Sequence, residues 1–82
     1  MDKRLKTIIE EIDIILEDPS VPKNIRKALS DSKERLVSDD EWNVKISSAV
    51  YHINSISEDI NMPTHARMQV WTIMSELEAL KE

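Results

Sequence analysis

Apolar residues recur at steps of three and four along four stretches of the chain, with polar residues between them. Such steps place side chains on one face of an α-helix, so the pattern predicts four amphipathic helices and an all-α fold. The four apolar faces comprise Leu5, Ile8, Ile9, Ile12, Ile15 and Leu16; Ile25, Ala28, Leu29, Ser32 and Leu36; Trp42, Ile46, Ala49, Val50, Ile53 and Ile56; and Ala66, Val70, Ile73, Leu77 and Leu80.

The second half of the chain repeats the first at a spacing of 41 residues. Identical residues fall together at Ile12 and Ile53, at Pro22 and Pro63, and at Leu36 and Leu77. Repeats of this length are typical of helical-hairpin units. We therefore predict one domain over 1–82, made of a first hairpin at 1–41 and a second at 42–82.

Short connections make neighbouring helices antiparallel, and a single hairpin would leave its apolar stripe in water. Two hairpins that close on each other form an antiparallel four-helix bundle with a pseudo-two-fold axis. The alternative is a stack of two units related by translation, as in solenoids. Such stacks usually need at least three repeats, so the sequence favours the closed bundle.

The same residues surround the turn of each hairpin. Proline suits the first turn of a helix, where its missing N–H costs nothing. We expect each arginine to tie down the acid or the carbonyl groups of its loop, and the alternative is a pair of ligand-binding sites. The residues assigned to these structural turns are Asp18, Pro22, Arg26, Asp59, Pro63 and Arg67.

The turn motifs also carry a resemblance to a known family. Asp-x-Ser-Val-Pro-x-Asn-Ile-Arg at 18–26 and Asp-x-Asn-Met-Pro-x-His-Ala-Arg at 59–67, followed by Trp71 and Ser75-Glu76-Leu77, resemble the archaeal uncharacterised protein family 0147. The resemblance covers nearly the whole chain. It implies an archaeal origin, a four-helix bundle of bromodomain-like type and no assigned activity.

Composition narrows the possible functions. The chain has no glycine, which phosphate-binding loops and nucleophile elbows require, and no cysteine for a disulfide or a thiolate metal site. Its net charge of −5 disfavours nucleic acid, because phosphate neutralisation dominates that affinity. Without a signal peptide or a long apolar run, we expect a soluble cytoplasmic protein with no membrane contact.

Few residues of the chain are candidates for metal binding or catalysis. His65 lies near Glu58, Asp59 and Asn61 around the second turn, a group from which a metal site would have to be built. The matching residue of the first turn is Asn24, so the histidine is not repeated. We expect no metal, no cofactor, no catalytic residue and no small-molecule substrate, and therefore not an enzyme.

The two hairpins differ in residues that lie off the shared apolar stripe. Where the second has Val44, Tyr51, Met68 and Trp71, the first has Lys3, Glu10, Lys27 and Ser30, and Ile14 also lies off its stripe. These apolar residues either pack internally between helices, form a homodimer interface or bind another protein. The interface candidates are Ile14, Val44, Tyr51, Met68 and Trp71.

The favoured function is a non-catalytic protein-interaction or self-associating helical module. The alternative is a nucleic-acid-associated accessory protein that uses the basic face of the second helix. That face carries Lys23, Lys27, Lys33 and Arg35, interrupted by acidic residues.

Overall fold

The computed structural model describes all 82 residues and contains four α-helices without a strand. They are α1 (Lys3–Leu16), α2 (Lys23–Leu36), α3 (Trp42–Asn54) and α4 (Thr64–Ala79). This confirms the all-α prediction from the apolar spacing. None of the four combines the length and the apolar character needed to cross a membrane.

The helices form a closed ring in which each one packs against two neighbours. The turns join α1 to α2, α2 to α3 and α3 to α4, and α1 also packs against α4. We call each of these four helix–helix interfaces a seam. Two hairpins thus close on each other as the sequence predicts, rather than stacking by translation, and the bromodomain-like type stays a prediction.

One continuous core fills the ring. Of the residues on the four predicted stripes, Leu16, Trp42 and Val50 lie at its margin and the others are buried. Val21 and Met62, which precede the two turn prolines, are buried as well. Burial of this shared stripe is the main favourable term that holds the hairpins together.

The two seams between the hairpins are built from side chains of different size. The α2–α3 seam uses the small residues Ala28, Ser32 and Ala49, and buried Ser32 Oγ donates to the Ala49 carbonyl over 2.9 Å. The equivalent positions of the α1–α4 seam are Gln69, Ile73 and Ile8. Small side chains let helices approach closely, and α2–α3 is the most extensive contact while α1–α4 is the least.

The ends of the helices depart from the sequence pattern in two places. Ile56 was expected within the third helix, but α3 ends at Asn54 and Ile56 is buried in the turn that follows. Ser55 Oγ donates to the His52 carbonyl over 2.6 Å and Ser57 Oγ to the Asn54 carbonyl over 3.2 Å. These hydroxyls compete for carbonyl groups at the helix end.

The prolines at the starts of α2 and α4 also differ from expectation. Pro22 and Pro63 lie at the capping positions of α2 and α4, one residue before the first helical turn. The acids before α3 do not cap it: Glu41 makes no side-chain cap, and Ser38 Oγ donates to Asp40 instead. A carboxylate caps α1, where Asp2 accepts from the Arg4 N–H over 2.8 Å.

Candidate functional site

The apolar residues that distinguish the second hairpin, together with Ile14, lie on the surface. Their exposed fractions are 60% for Ile14, 53% for Val44, 73% for Tyr51, 68% for Met68 and 56% for Trp71. The alternative in which they pack between helices therefore does not describe the isolated chain. Large apolar groups this exposed are available for contact with another molecule.

Three of these five residues form one continuous surface. Ile14 and Met68 line a depression between α1 and α4 together with Glu11, Gln69 and Thr72. Met68 and Trp71 line the next depression, on the outer side of α4, with Arg67 and Thr72. We call Ile14, Met68 and Trp71 the α4 surface, since Met68 links the other two.

Val44 and Tyr51 belong to a different part of the molecule. They lie seven residues apart on the outward side of α3 and line none of the surface depressions. The Tyr51 ring meets the edge of the neighbouring His52 ring at 5.7 Å between centroids. The five predicted interface candidates thus separate into the α4 surface and an α3 pair.

Trp71 is exposed but also contacts the α3–α4 turn. Its indole Nε1 makes a long hydrogen bond of 3.5 Å to the Ser57 carbonyl in that turn. Trp71 and Ser57 also line a depression with Asn54, Glu58 and Met74. An aromatic side chain has few rotatable bonds to immobilise on binding, which favours its use as a contact residue.

In both turns a carboxylate and an arginine of the predicted set hold the loop. Asp18 Oδ1 accepts from the Ser20 N–H over 2.9 Å, and Asp59 Oδ1 accepts from the Asn61 N–H over 2.8 Å. Each arginine reaches a carbonyl of its own loop: Arg26 Nε donates to Val21 and Arg67 Nη2 to Asp59, both over 3.0 Å. These contacts account for the turn residues without a ligand.

The two turns also bind each other reciprocally, which the sequence did not reveal. Asn24 Nδ2 donates to Asp59 Oδ2 over 3.1 Å, and His65 Nε2 lies 2.8 Å from Asp18 Oδ2. Asn24 and His65 occupy equivalent positions, as do Asp18 and Asp59. The histidine therefore has a repeated role after all, as a cross-link between hairpins.

The structure has no cluster of metal-binding side chains around His65. No group of three or more histidine, aspartate and glutamate side chains converges anywhere in the molecule. The Ser20 hydroxyl and His65, both bonded to Asp18, lower the pKa of that carboxyl from 3.8 to about 2. This ionised carboxylate is a hydrogen-bond acceptor inside the turn network.

Much of the basic face of α2 is already paired. Lys27 Nζ lies 2.9 Å from Asp31 Oδ1, and Lys33 Nζ lies 2.7 Å from Asp13 Oδ1 of α1. Asp31 raises the pKa of Lys27, and Lys27 in turn lowers the pKa of Asp31. Of the four cations proposed to contact phosphate, Lys23 and Arg35 make no ion pair.

Trp42, which lies at the margin of the core, also joins three helix ends. Its indole Nε1 donates to the Leu80 carbonyl over 2.7 Å, and the Arg4 and Lys45 cations lie 5.9 and 5.8 Å from its ring centre. Asn43 completes the junction, because its side chain bonds both the N–H and the carbonyl of Glu82. This junction fastens the end of the chain to the start of α3.

Sequence reasoning also missed a pair of acids in the α1–α4 seam. Partial burial of Glu11, its hydrogen bond with Glu76 and the negative charge of Glu76 raise the pKa of Glu11 from 4.5 to about 7. The Oε1 atoms of Glu76 and Gln69 are shut off from solvent and have no hydrogen-bond partner. No local signal identifies these residues, since the pairing appears only when α1 meets α4.

Fold and surface together define a small, closed bundle of two helical hairpins with an apolar outer side on α4. The chain belongs to the uncharacterised protein family UPF0147, whose family model matches residues 1–80. The resemblance read from the turn motifs is thereby confirmed.

Relatives from archaea share this family. A UPF0147 protein of Archaeoglobus fulgidus is 37% identical over 95% of this chain and 90% of its own. One from Methanocaldococcus jannaschii is 41% identical over 94% of this chain and 84% of its own. Each of these similarities covers most of both aligned chains.

Two crystal structures share the fold. One, of a protein of unknown function, is 42% identical, covers 96% of this chain and 91% of its own, and has a TM-score of 0.89. The other, from the UPF0147 family of Thermoplasma acidophilum, is 30% identical over 95% of this chain and 93% of its own, also with a TM-score of 0.89.

Proposed function

We propose that this protein is a non-catalytic interaction module that binds a protein partner, first of all a second copy of itself, through the α4 surface. The observation that carries the proposal is the exposure of Met68 and Trp71 at positions where the first hairpin has Lys27 and Ser30. Those counterparts are exposed too. Because polar residues serve the fold equally well at these positions, folding does not require the apolar ones.

The composition of the surface supports the same conclusion. Tryptophan and methionine are enriched in the cores of protein interfaces, and a central tryptophan often contributes most of the binding energy. Arg67, Thr72 and Glu11 border the apolar residues, as the polar rim of an interface does. A domain of this size gains only roughly 3–5 kcal/mol from its own core, so association would also stabilise it.

The nucleic-acid alternative has less support. Lys27 and Lys33 are held in ion pairs by Asp31 and Asp13, and Lys23 and Arg35 are left as the free cations of that face. The net charge of −5 opposes phosphate binding.

Light scattering over a range of protein concentrations tests the proposal. We expect a dimer in the unmodified chain and a monomer in Trp71→Ser, which copies the residue of the first hairpin. The melting temperature of the dilute variant should change little, because the ring is more than half exposed.

Tyr51→Glu is the matched control, since it likewise introduces the residue of the first hairpin at an exposed aromatic position. It should leave the dimer intact. An unmodified chain that stays monomeric would rule out self-association. A dimer that survives Trp71→Ser but dissociates in Tyr51→Glu would move the interface to α3.

A further inference from the structure

The α1–α4 seam closes the ring without a covalent connection. Turns join the other three pairs of neighbouring helices, whereas α1 and α4 meet at opposite ends of the chain. It is also the least extensive of the four contacts. Separation of α1 from α4 therefore requires no movement of a connecting turn.

Two acceptor oxygens of this seam lack a hydrogen-bond partner. Glu76 Oε1 and Gln69 Oε1 are buried without a partner. The nearby hydroxyls are already used, since Thr7 Oγ1 donates to the Lys3 carbonyl and Thr72 Oγ1 to the Met68 carbonyl. A buried acceptor without a donor costs free energy, so a donor that reached Glu76 Oε1 would stabilise the seam.

No cation neutralises the two acids. Arg4 of α1, which lines a cavity with Glu76, is bound to Asp2 over 3.0 Å. On the α2 side of α1, Lys33 is bound to Asp13. Lys45 of α3 lies over the Trp42 ring, and Lys81 pairs with Glu78 at the end of α4.

The equivalent seam on the other side of the bundle is built differently. Glu11 and Glu76 correspond to His52 of α3 and Arg35 of α2. There the positive groups His52 and Arg35 help lower the pKa of Asp31, after the larger effect of its bond to Lys27. Basic groups and an acid face each other in that seam, whereas acid faces acid between α1 and α4.

We propose that Glu11 and Glu76 share one proton across the α1–α4 seam, and that loss of this proton loosens the seam where the two ends of the chain meet. The proton supplies the missing donor, because a protonated Glu11 donates to Glu76. When both carboxyls are ionised, they repel each other, and the repulsion acts on the one pair of neighbouring helices that no turn connects.

The direction of the pH dependence follows from linkage. The pKa of Glu11 is about 7 in the folded chain against 4.5 for an ordinary glutamate. Over that interval the folded state holds a proton that the unfolded state has lost, so stability falls as the pH rises from about 4.5 to about 7. Outside this pH window, the protonation of Glu11 no longer makes the stability depend on pH.

Glu11→Gln tests the proposal, because its amide is a permanent donor of nearly the same shape. Urea unfolding of the dilute chain should show a midpoint that drops between about pH 5 and about pH 7 in the unmodified protein. The drop should disappear in Glu11→Gln. Glu10→Gln is the matched control, since it removes the same charge from an exposed position of α1 and should retain the drop.

Two measurements on the unmodified chain test the shared proton without relying on a variant that folds. Carboxyl NMR should show the pair titrating with one step near neutral pH, and two steps close to ordinary glutamate values would overturn the shared proton. Amide exchange, corrected for its intrinsic pH dependence, should accelerate in α1 and α4 before α2 and α3. Equal acceleration in all four helices would overturn the loosening of this seam. Because Glu11 borders the proposed dimer surface, the same readouts in Trp71→Ser separate this proposal from the dimer.

Discussion

The two hairpins agree in their turns and interiors and differ on their outer sides. In the turns, Asp18 and Asp59 hold their loops through the same backbone contacts, and Arg26 and Arg67 each reach a loop carbonyl. On the outside, Lys27 and Ser30 of α2 face solvent where α4 presents Met68 and Trp71. The shared features are those that the closed bundle needs.

The difference separates what the fold requires from what it tolerates. Each hairpin buries its stripe against the other, so a change on one stripe alters the packing of both. An exposed position has no such constraint, and a polar residue there is the less aggregation-prone choice. The exposed apolar residues of the second hairpin are therefore better explained by contact with another molecule than by folding.

The largest expected effect comes from the turn arginines. Arg26→Ala and Arg67→Ala each remove a charged donor from a half-buried loop carbonyl, so each should lower the free energy of unfolding by about 1.5–3 kcal/mol. Urea unfolding of both variants measures the loss. Arg35→Ala, which removes an arginine without an ion pair from α2, is the control. A large loss in one turn and none in the other would show that the turns are not equivalent.

The parts of this structure that local pattern determines were predictable. Steps of three and four locate the stripes, and a spacing of 41 residues aligns Pro22 with Pro63 and so defines the hairpins. The end of α3 was predicted wrongly because it depends on the Ser55 and Ser57 hydroxyls, which donate to backbone carbonyls there. The spacing of apolar residues contains no information about these hydrogen bonds. Short-range hydrogen bonds thus decide a boundary that periodicity leaves open.

The contacts between hairpins were not predictable from single positions. His65 and Asp18 are 47 residues apart, and their contact exists because the turns meet at one end of the bundle. The Glu11–Glu76 pair likewise requires knowledge of which sides of α1 and α4 face each other. For the candidate site, the sequence identified exposed apolar residues but not their division between α4 and α3, since that depends on how the helices are arranged.

A smaller effect is expected in the seam that small residues form. Ser32→Ala removes the hydrogen bond from Ser32 Oγ to the Ala49 carbonyl without leaving a cavity large enough for water. We expect a loss of about 1 kcal/mol in the free energy of unfolding. Ser30→Ala, two residues earlier at an exposed position of α2, should change nothing. If both variants behave alike, the hydroxyl does not stabilise the α2–α3 seam.

The smallest effect concerns the one chemical difference between the two turn-to-turn contacts, histidine in one and asparagine in the other. The pKa of Asp18 falls from 3.8 to about 2 through bonds from the Ser20 hydroxyl and from His65. A carboxyl with a lowered pKa contributes stability at pH values above its ordinary pKa. That stability is lost as the pH falls from about 3.8 towards 2.

His65→Asn puts the first-turn residue into the second turn and removes the histidine that contacts Asp18. The melting temperature of this variant should therefore fall less steeply with acid than that of the unmodified chain, while His52→Asn should follow the unmodified curve. An unchanged acid slope in His65→Asn would mean that the Ser20 contacts alone hold the carboxylate, and the two cross-links would then be equivalent in chemistry as well as in position.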